Sequence, residues 1–173
     1  MGRDAAEDEN AAGDPADAGP TSPDPRRIRA LAVTADDVVD ALEANARGRR
    51  RLVLRVTPPF AGRMRARIHD AGVVAADDDT GGDGAAEDGS GGAGPTPIHI
   101  SPTRFVADPP AYPTVDDTED ELRASSTPYS REEHRRRHQR AVEAWRQRVR
   151  ERLVEEVAIE TDAGERTVAV SYL

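Results

Sequence analysis

Sustained hydrophobic periodicity occurs in two parts of this 173-residue chain, residues 26–69 and residues 122–173. Both parts are basic, with formal charges of +7 and +2, although the whole chain carries −9. The remaining segments, residues 1–25 and 70–121, carry −6 and −12. Only periodic segments can form amphipathic helices and strands that bury an apolar face. The core must therefore be built mainly from the basic parts of an acidic protein.

Two acidic stretches have the composition of disordered chain. Residues 1–25 contain four prolines and no large apolar side chain after Met1, so they bury too little surface to offset the entropy of ordering. Residues 76–96 are rich in Gly and Asp, and patterned sequence resumes directly after them. Long inserts are tolerated because closure entropy grows only logarithmically with loop length. We expect a disordered acidic tail, residues 1–25, and a single domain, residues 26–173, that contains a disordered insert at about residues 76–96.

The composition also excludes several kinds of site. The chain has no cysteine, which rules out disulfides, thiolate zinc sites and cysteine nucleophiles. No apolar run approaches the roughly 20 residues of a membrane span. The first ten residues are acidic, whereas a signal peptide begins basic and continues apolar. We therefore expect a cytoplasmic protein with no membrane partner.

All 24 basic residues are arginine. An acidic excess without lysine resembles the composition of proteins from salt-loving archaea, although a GC-rich genome would also replace lysine by arginine. At molar salt the Debye length is about 3 Å. In such a cell only close, desolvated charge contacts would contribute to binding.

The first basic segment predicts a helix followed by two strands. Thr34 and Gly48 have the positions of the caps of a helix with one apolar stripe. Residues 51–57 alternate between apolar and other side chains, which predicts a strand. Residues 62–69 fit a helix or a strand. The strand is favoured because it gathers the arginines on one side, and because Gly62 would weaken a helix by about 1 kcal/mol.

The rest of the chain predicts further short elements and one long helix. These are a strand at 97–100, a short helix at 115–124, a long helix after Ser130 with Trp145 in its buried stripe, and a closing hairpin at 157–172 that turns at Gly164. Most links between strands are short enough for antiparallel pairing. The predicted fold class is α+β, with one antiparallel sheet of four to five strands and the two longer helices packed on one face.

Pairing of the two early strands would place several arginines on the sheet face away from the helices. They are Arg51, Arg55, Arg63, Arg65 and Arg67. Guanidinium groups grip phosphate oxygens in bidentate pairs, so this face could bind a polyanion such as nucleic acid, or an acidic protein surface. Sheet-face RNA readers add stacking aromatics, and only Phe60 is near. Alternatively, acidic side chains of the same chain, or the acidic insert, neutralise the face.

The histidines suggest a metal site. His134 and His138 are four residues apart on the long helix, so both imidazoles could share one ion such as zinc. His69 and His99 belong to strands that should lie close, so all four histidines could converge. The surrounding arginines would oppose a cation, and Arg135 stands where zinc proteases have a glutamate. The alternative is that these are ordinary surface histidines.

The other charge clusters give weaker indications of a functional site. The run "REEHRRRHQR", residues 131–140, is typical of a solvated helix face or of contact with an acidic partner. The acidic run at 116–121 is typical of solvated side chains rather than of a catalytic carboxylate pair. No nucleophile elbow and no phosphate-binding loop with its lysine is present in the sequence,. The sequence thus favours a protein that is not an enzyme.

Four stretches together resemble a known family. They are "LAVTADDVVDALEANARGRRRLVLRVTPPFAGRMRARIH", "PIHISPTRFV", "PPAYPTVDDTEDELR" and the helix around "AVEAWRQRVRERLVEEV". They resemble a family of small haloarchaeal proteins, an uncharacterised domain of unknown function, over residues 28–173. The resemblance implies a cytoplasmic haloarchaeal protein. It implies no activity, cofactor or catalytic residue.

The leading hypothesis is therefore a small non-enzymatic binding protein that uses its arginines to contact nucleic acid or an acidic protein surface, without a cofactor. The first alternative is a metal-binding domain or metal-dependent enzyme built on His134 and His138. The second alternative is a structural subunit of a larger complex.

Overall fold

The computed structural model describes residues 20–48, 50–73, 95–162 and 164–173. The predicted acidic tail and insert, apart from the last residues of each, lie outside these ranges. Where the end of the tail is described, Ser22 and Phe60 exchange two backbone hydrogen bonds of 2.8 and 2.7 Å.

The described chain contains seven strands and three α-helices. In order, the elements are β1 (Ala30–Val33), α1 (Ala35–Arg47), β2 (Arg50–Val56), β3 (Arg63–Arg65), β4 (Arg67–Val73), β5 (Ile98–Ile100), α2 (Val115–Ala124), α3 (Arg131–Arg150), β6 (Glu156–Thr161) and β7 (Gly164–Tyr172).

Most of the predicted elements are confirmed. α1 is flanked by Thr34 and Gly48, and the hydroxyl of Ser130 accepts a 3.1 Å hydrogen bond from the Glu133 amide at the start of α3. The ambiguous residues 62–69 are extended, as favoured. Gly164 has a φ of +103° at the turn between β6 and β7, a conformation that glycine adopts without steric cost.

The prediction of one antiparallel sheet is wrong. The strands form two sheets, one of four strands in the order β3-β1-β7-β6 and one of three in the order β4-β2-β5. In the four-stranded sheet, β1 is parallel to both β3 and β7. β1 was not predicted, because its four residues, "ALAV", show no alternation and directly precede a helix. The fold class remains α+β, with three helices in the described chain.

The two sheets share one extended run, which breaks at Ala66. Before the break, β3 pairs with β1; after it, β4 pairs with β2. The Ala66 side chain is fully buried, and its amide donates a 3.0 Å hydrogen bond to the carbonyl of Ala32. The predicted hairpin therefore forms only between β2 and the second half of this run.

One hydrophobic core joins both sheets to the helices. The inner side of β2 contributes Leu54 and Val56, and the stripes of α1 and α3 contribute residues such as Val38 and Trp145. Trp145 also donates a 2.8 Å hydrogen bond from its ring nitrogen to the Pro110 carbonyl.

Candidate anion-binding face

The outer side of the three-stranded sheet collects basic side chains around its central strand. Along β2, Leu54 and Val56 are buried in the core, and the side chains between them point the other way. Directly paired residues share a face. Arg55 pairs with Arg67 on β4 and with His99 on β5, and Val53 pairs with His69. We call this surface the basic face: Arg51, Arg55, Arg67, His69 and His99.

Two imidazoles lie at the centre of the basic face. The rings of His69 and His99 stack across β2, with centroids 5.5 Å apart and an interplanar angle of 23°. Val53 is only 4% exposed, although it lies outside the core cluster. Side chains of the basic face therefore cover it from the outer side. His99 itself remains exposed.

Arg63 and Arg65 belong to the other sheet, so the prediction that five arginines share one sheet face is wrong. They pair with Ala30 and Ala32 in the β3–β1 register and project from the outer side of the four-stranded sheet. The physical reason is the break at Ala66, which divides the arginine-rich run between the two sheets.

The break nevertheless brings arginines of both sheets to one groove. This groove has a volume of about 310 Å³, and Arg55, Arg65, Arg67 and His69 line it together with the less polar Met64 and Ile68. Arg63, Arg65 and Arg67 follow one another at every second position, and all three are exposed. We call them the arginine row, which continues into His69.

The five arginines of the predicted sheet face form no ion pair with a carboxylate of the described residues. They are Arg51, Arg55, Arg63, Arg65 and Arg67. At the rim, Arg50 pairs with Asp70 at 3.2 Å. Arg55 has a buried Nε with no hydrogen-bond partner in this part of the chain, and Arg65 has one long contact of 3.5 Å to the Thr34 hydroxyl. The alternative prediction, that the acidic insert at about residues 76–96 covers the arginines, lies almost entirely outside the described residues.

The positive surroundings affect His99. Burial, then His69, Arg55 and Arg51, hold the pKa of its imidazole below the usual value for histidine. Both causes disfavour the protonated form. The second cause is the positive charge of the groups around His99, and the same charge attracts an anion.

The arginines of α3 behave differently, because several have partners among the described residues. Glu133 pairs with both Arg136 and Arg140, and Arg137 approaches Glu121 at 3.5 Å. These contacts agree with a solvated, internally compensated helix face.

The four histidines form two separate pairs, so the idea that all four converge is wrong. His134 and His138 lie between α2 and α3, where Nε2 of His134 and Nδ1 of His138 each lie 3.2 Å from the buried Thr118 hydroxyl. Nε2 of His134 is also 3.1 Å from the Val115 carbonyl, so this nitrogen carries a proton and donates. Among the described residues, no group of three or more potential ligands is placed to hold a metal ion.

Two features of the site were missed from sequence. His69 and His99 were predicted to lie on neighbouring strands as metal ligands, and they were not assigned to the arginine face. Thr118 was not singled out at all, and its sequence context carries no signal beyond a short helix.

Together, the two-sheet fold and the open cationic surface define an α+β protein with a candidate anion-binding face. The chain belongs to the family described as Domain of unknown function (DUF8009), whose model matches residues 18–173. This confirms the resemblance to an uncharacterised domain family. No curated protein and no solved structure matches the chain. Within the described ranges, no helix combines the length and apolarity needed to cross a membrane.

Proposed function

We propose that this protein binds a polyanion through the basic face and the arginine row, and that the polyanion is nucleic acid. The observation that supports the proposal is that the five arginines of the basic face and the arginine row have no carboxylate partner in the described chain. The whole protein carries −9, so carboxylates for internal pairing are abundant. A cluster left open under these conditions has the character of a binding surface.

Nucleic acid fits this surface better than a protein partner does. Stable protein interfaces are organised around an apolar or aromatic core with a polar rim. The exposed part of the basic face consists of guanidinium and imidazole groups. The exposed Ile68 (39%) pairs with Leu54 and therefore lies on the opposite side of the sheet. Nucleic-acid sites, in contrast, are strongly positive and make most of their hydrogen bonds to phosphate oxygens.

The affinity must come from close contacts, because the net charge of the protein opposes approach of another anion. Each guanidinium can form charge-assisted bidentate bonds to one phosphate. The groove between Arg55, Arg65 and Arg67 brings three such groups to one place. Binding of this kind requires no catalytic group.

The test is binding of fluorescent RNA and DNA oligonucleotides to wild type and to Arg55→Gln/Arg67→Gln. We expect the double variant to bind about tenfold more weakly or worse, since each lost hydrogen bond to a charged group contributes about 1.5–3 kcal/mol. The matched control is Arg135→Gln/Arg148→Gln, which removes two exposed arginines of α3 that have no ion pair in the described chain. Equal affinity in the first variant and wild type, or no binding at all, would reject the proposal.

A further inference from the structure

We infer that the bound nucleic acid is single-stranded, that its backbone follows the arginine row, and that one of its bases stacks on the His69–His99 pair. This inference rests on the proposed function and specifies the class of ligand. It is carried by two features that occur side by side: a linear series of guanidiniums and an open stacked pair of rings.

The first feature is the geometry of the arginine row. Arg63, Arg65 and Arg67 alternate with Met64, which packs against the core, and with buried Ala66. Side chains at every second position of an extended chain lie about 6.6 Å apart. From Arg63 to His69 the row therefore extends about 20 Å, and it suits a few consecutive phosphates of one extended strand.

The second feature is the stacked imidazole pair. Base-stacking proteins use aromatic rings that remain accessible on a sheet surface. The ring of Phe60 is buried, with 1% exposure, so it cannot receive a base. His99 is exposed, and its ring stacks on that of His69 with an interplanar angle of 23°. We place the base on the face of the His99 ring that points away from His69.

These two features favour a single strand over a duplex. In a duplex the faces of the bases are hidden by their neighbours, and proteins read it by inserting a helix or a β-ribbon into a groove. Arg55, His69 and His99 lie within the strands of a sheet, and a sheet face does not enter a groove in this way. The groove at the strand break, about 310 Å³, has room for one backbone segment or one base.

The first experiment compares two probes by fluorescence anisotropy. They are a single-stranded RNA of about 12 nucleotides and the same RNA annealed to its complement. We expect the single strand to bind at least about tenfold more tightly, because stacking contributes on the order of tenfold per base. Binding of both probes with equal affinity overturns this inference and leaves the proposed function standing. Binding of neither overturns both.

The second experiment measures the salt dependence of single-strand binding. For Arg63→Gln/Arg65→Gln/Arg67→Gln we expect the slope of log K against log salt to fall by about 2 units, since each phosphate contact contributes about 0.7. The control is Arg131→Gln/Arg135→Gln/Arg148→Gln, which removes the same charge from exposed positions of α3. An unchanged slope in the first variant, or an equal loss in the control, overturns the placement on the arginine row. Circular dichroism confirms that each variant is folded.

The third experiment separates stacking from charge at His99. His99→Ala should weaken single-strand binding about tenfold, and His99→Phe should restore it, because a phenyl ring stacks without a titratable nitrogen. Failure of His99→Phe to restore affinity, in a variant whose melting curve shows a folded protein, overturns the stacking contact. Tighter binding of labelled poly-glutamate than of labelled single-stranded RNA would instead identify an acidic protein segment as the ligand and overturn both proposals.

Discussion

Arg55 on β2 lies directly opposite Arg67 on β4 in the antiparallel ladder, and neither forms an ion pair with a carboxylate of the described chain. Like charges in directly paired positions destabilise a sheet. The fold therefore tolerates an unfavourable contact at the centre of the basic face. Selection for stability alone would remove such an unfavourable contact, but binding sites commonly retain one.

Replacement of one member of this pair should stabilise the protein while it weakens binding. We expect Arg67→Gln to raise the free energy of unfolding by about 0.2–1 kcal/mol, as measured by urea denaturation at low ionic strength. The gain should shrink at high salt, because screening reduces the repulsion in wild type. Arg148→Gln on α3 serves as the control and should change stability less. A loss of stability in Arg67→Gln would mean that Arg67 has a favourable partner.

His99 should make stability fall under mildly acidic conditions. Its pKa is held below the usual 6.5 by burial and then by His69, Arg55 and Arg51. As the pH falls below 6.5, the unfolded state takes up a proton before the folded state does, so the free energy of unfolding decreases through this window. His99→Gln should flatten the dependence between about pH 5 and 8. An unchanged pH dependence of the free energy of unfolding in this variant would show that another titratable group causes the dependence.

The same group should link nucleic-acid binding to pH. A bound phosphate offsets the positive charges of the basic face, so it raises the pKa of His99, and by linkage affinity increases as the pH falls through that value. Arg104 and Glu160 also line the cavity beside His99, and they pair with each other at 2.6 Å. We expect His99→Gln to abolish most of the pH dependence of oligonucleotide affinity. An equal pH dependence of affinity in the variant and in wild type would contradict this link between His99 and binding.

A third prediction on stability concerns the contact between α1 and α3. Nε and Nη2 of Arg146 donate to the two oxygens of the buried Glu43 carboxylate at 2.7 and 3.0 Å. This bidentate bond holds the pKa of Glu43 below 4.5, against the opposing effect of burial. Its stabilisation is therefore present above pH 4.5 and is lost as the pH falls through the lowered pKa.

We expect Glu43→Gln to lower the free energy of unfolding by about 1–3 kcal/mol at neutral pH, with a smaller difference from wild type in acid. The matched control is Glu143→Gln, which removes an exposed carboxylate that also contacts Arg146, at 3.2 Å. Exposed pairs contribute about 0–1 kcal/mol, so the control should change stability little. Equal effects of the two variants would contradict the special role of Glu43.

Thr118 should hold α2 on α3 through its two histidine contacts. We expect Thr118→Val to lower the free energy of unfolding by about 1–3 kcal/mol, because the hydroxyl contacts both imidazoles at 3.2 Å. Nitrogen-15 spectra should show a proton on Nε2 of His134, which faces the Val115 carbonyl. Addition of zinc should leave the His134 and His138 signals unchanged; zinc-dependent shifts that disappear in His134→Ala/His138→Ala would instead support a metal site.

Local patterns were enough to predict most of the elements. The extended state of residues 62–69 follows from alternation, the limits of α1 follow from Thr34 and Gly48, and the turn at Gly164 follows from the need for a positive φ. The outward direction of the arginines also follows from alternation. These properties depend on neighbours within a few residues, so they can be read from the sequence.

The sequence by itself determined which residues are extended or helical and which side chains alternate, because periodicity is a local property. Only the tertiary structure decided that the arginine-rich run divides between two sheets at Ala66, that β1 inserts parallel to β3 and β7, and that His99 reaches His69 across β2. These outcomes depend on hydrogen bonds and packing between residues that are distant along the chain, and local periodicity does not predict such pairings.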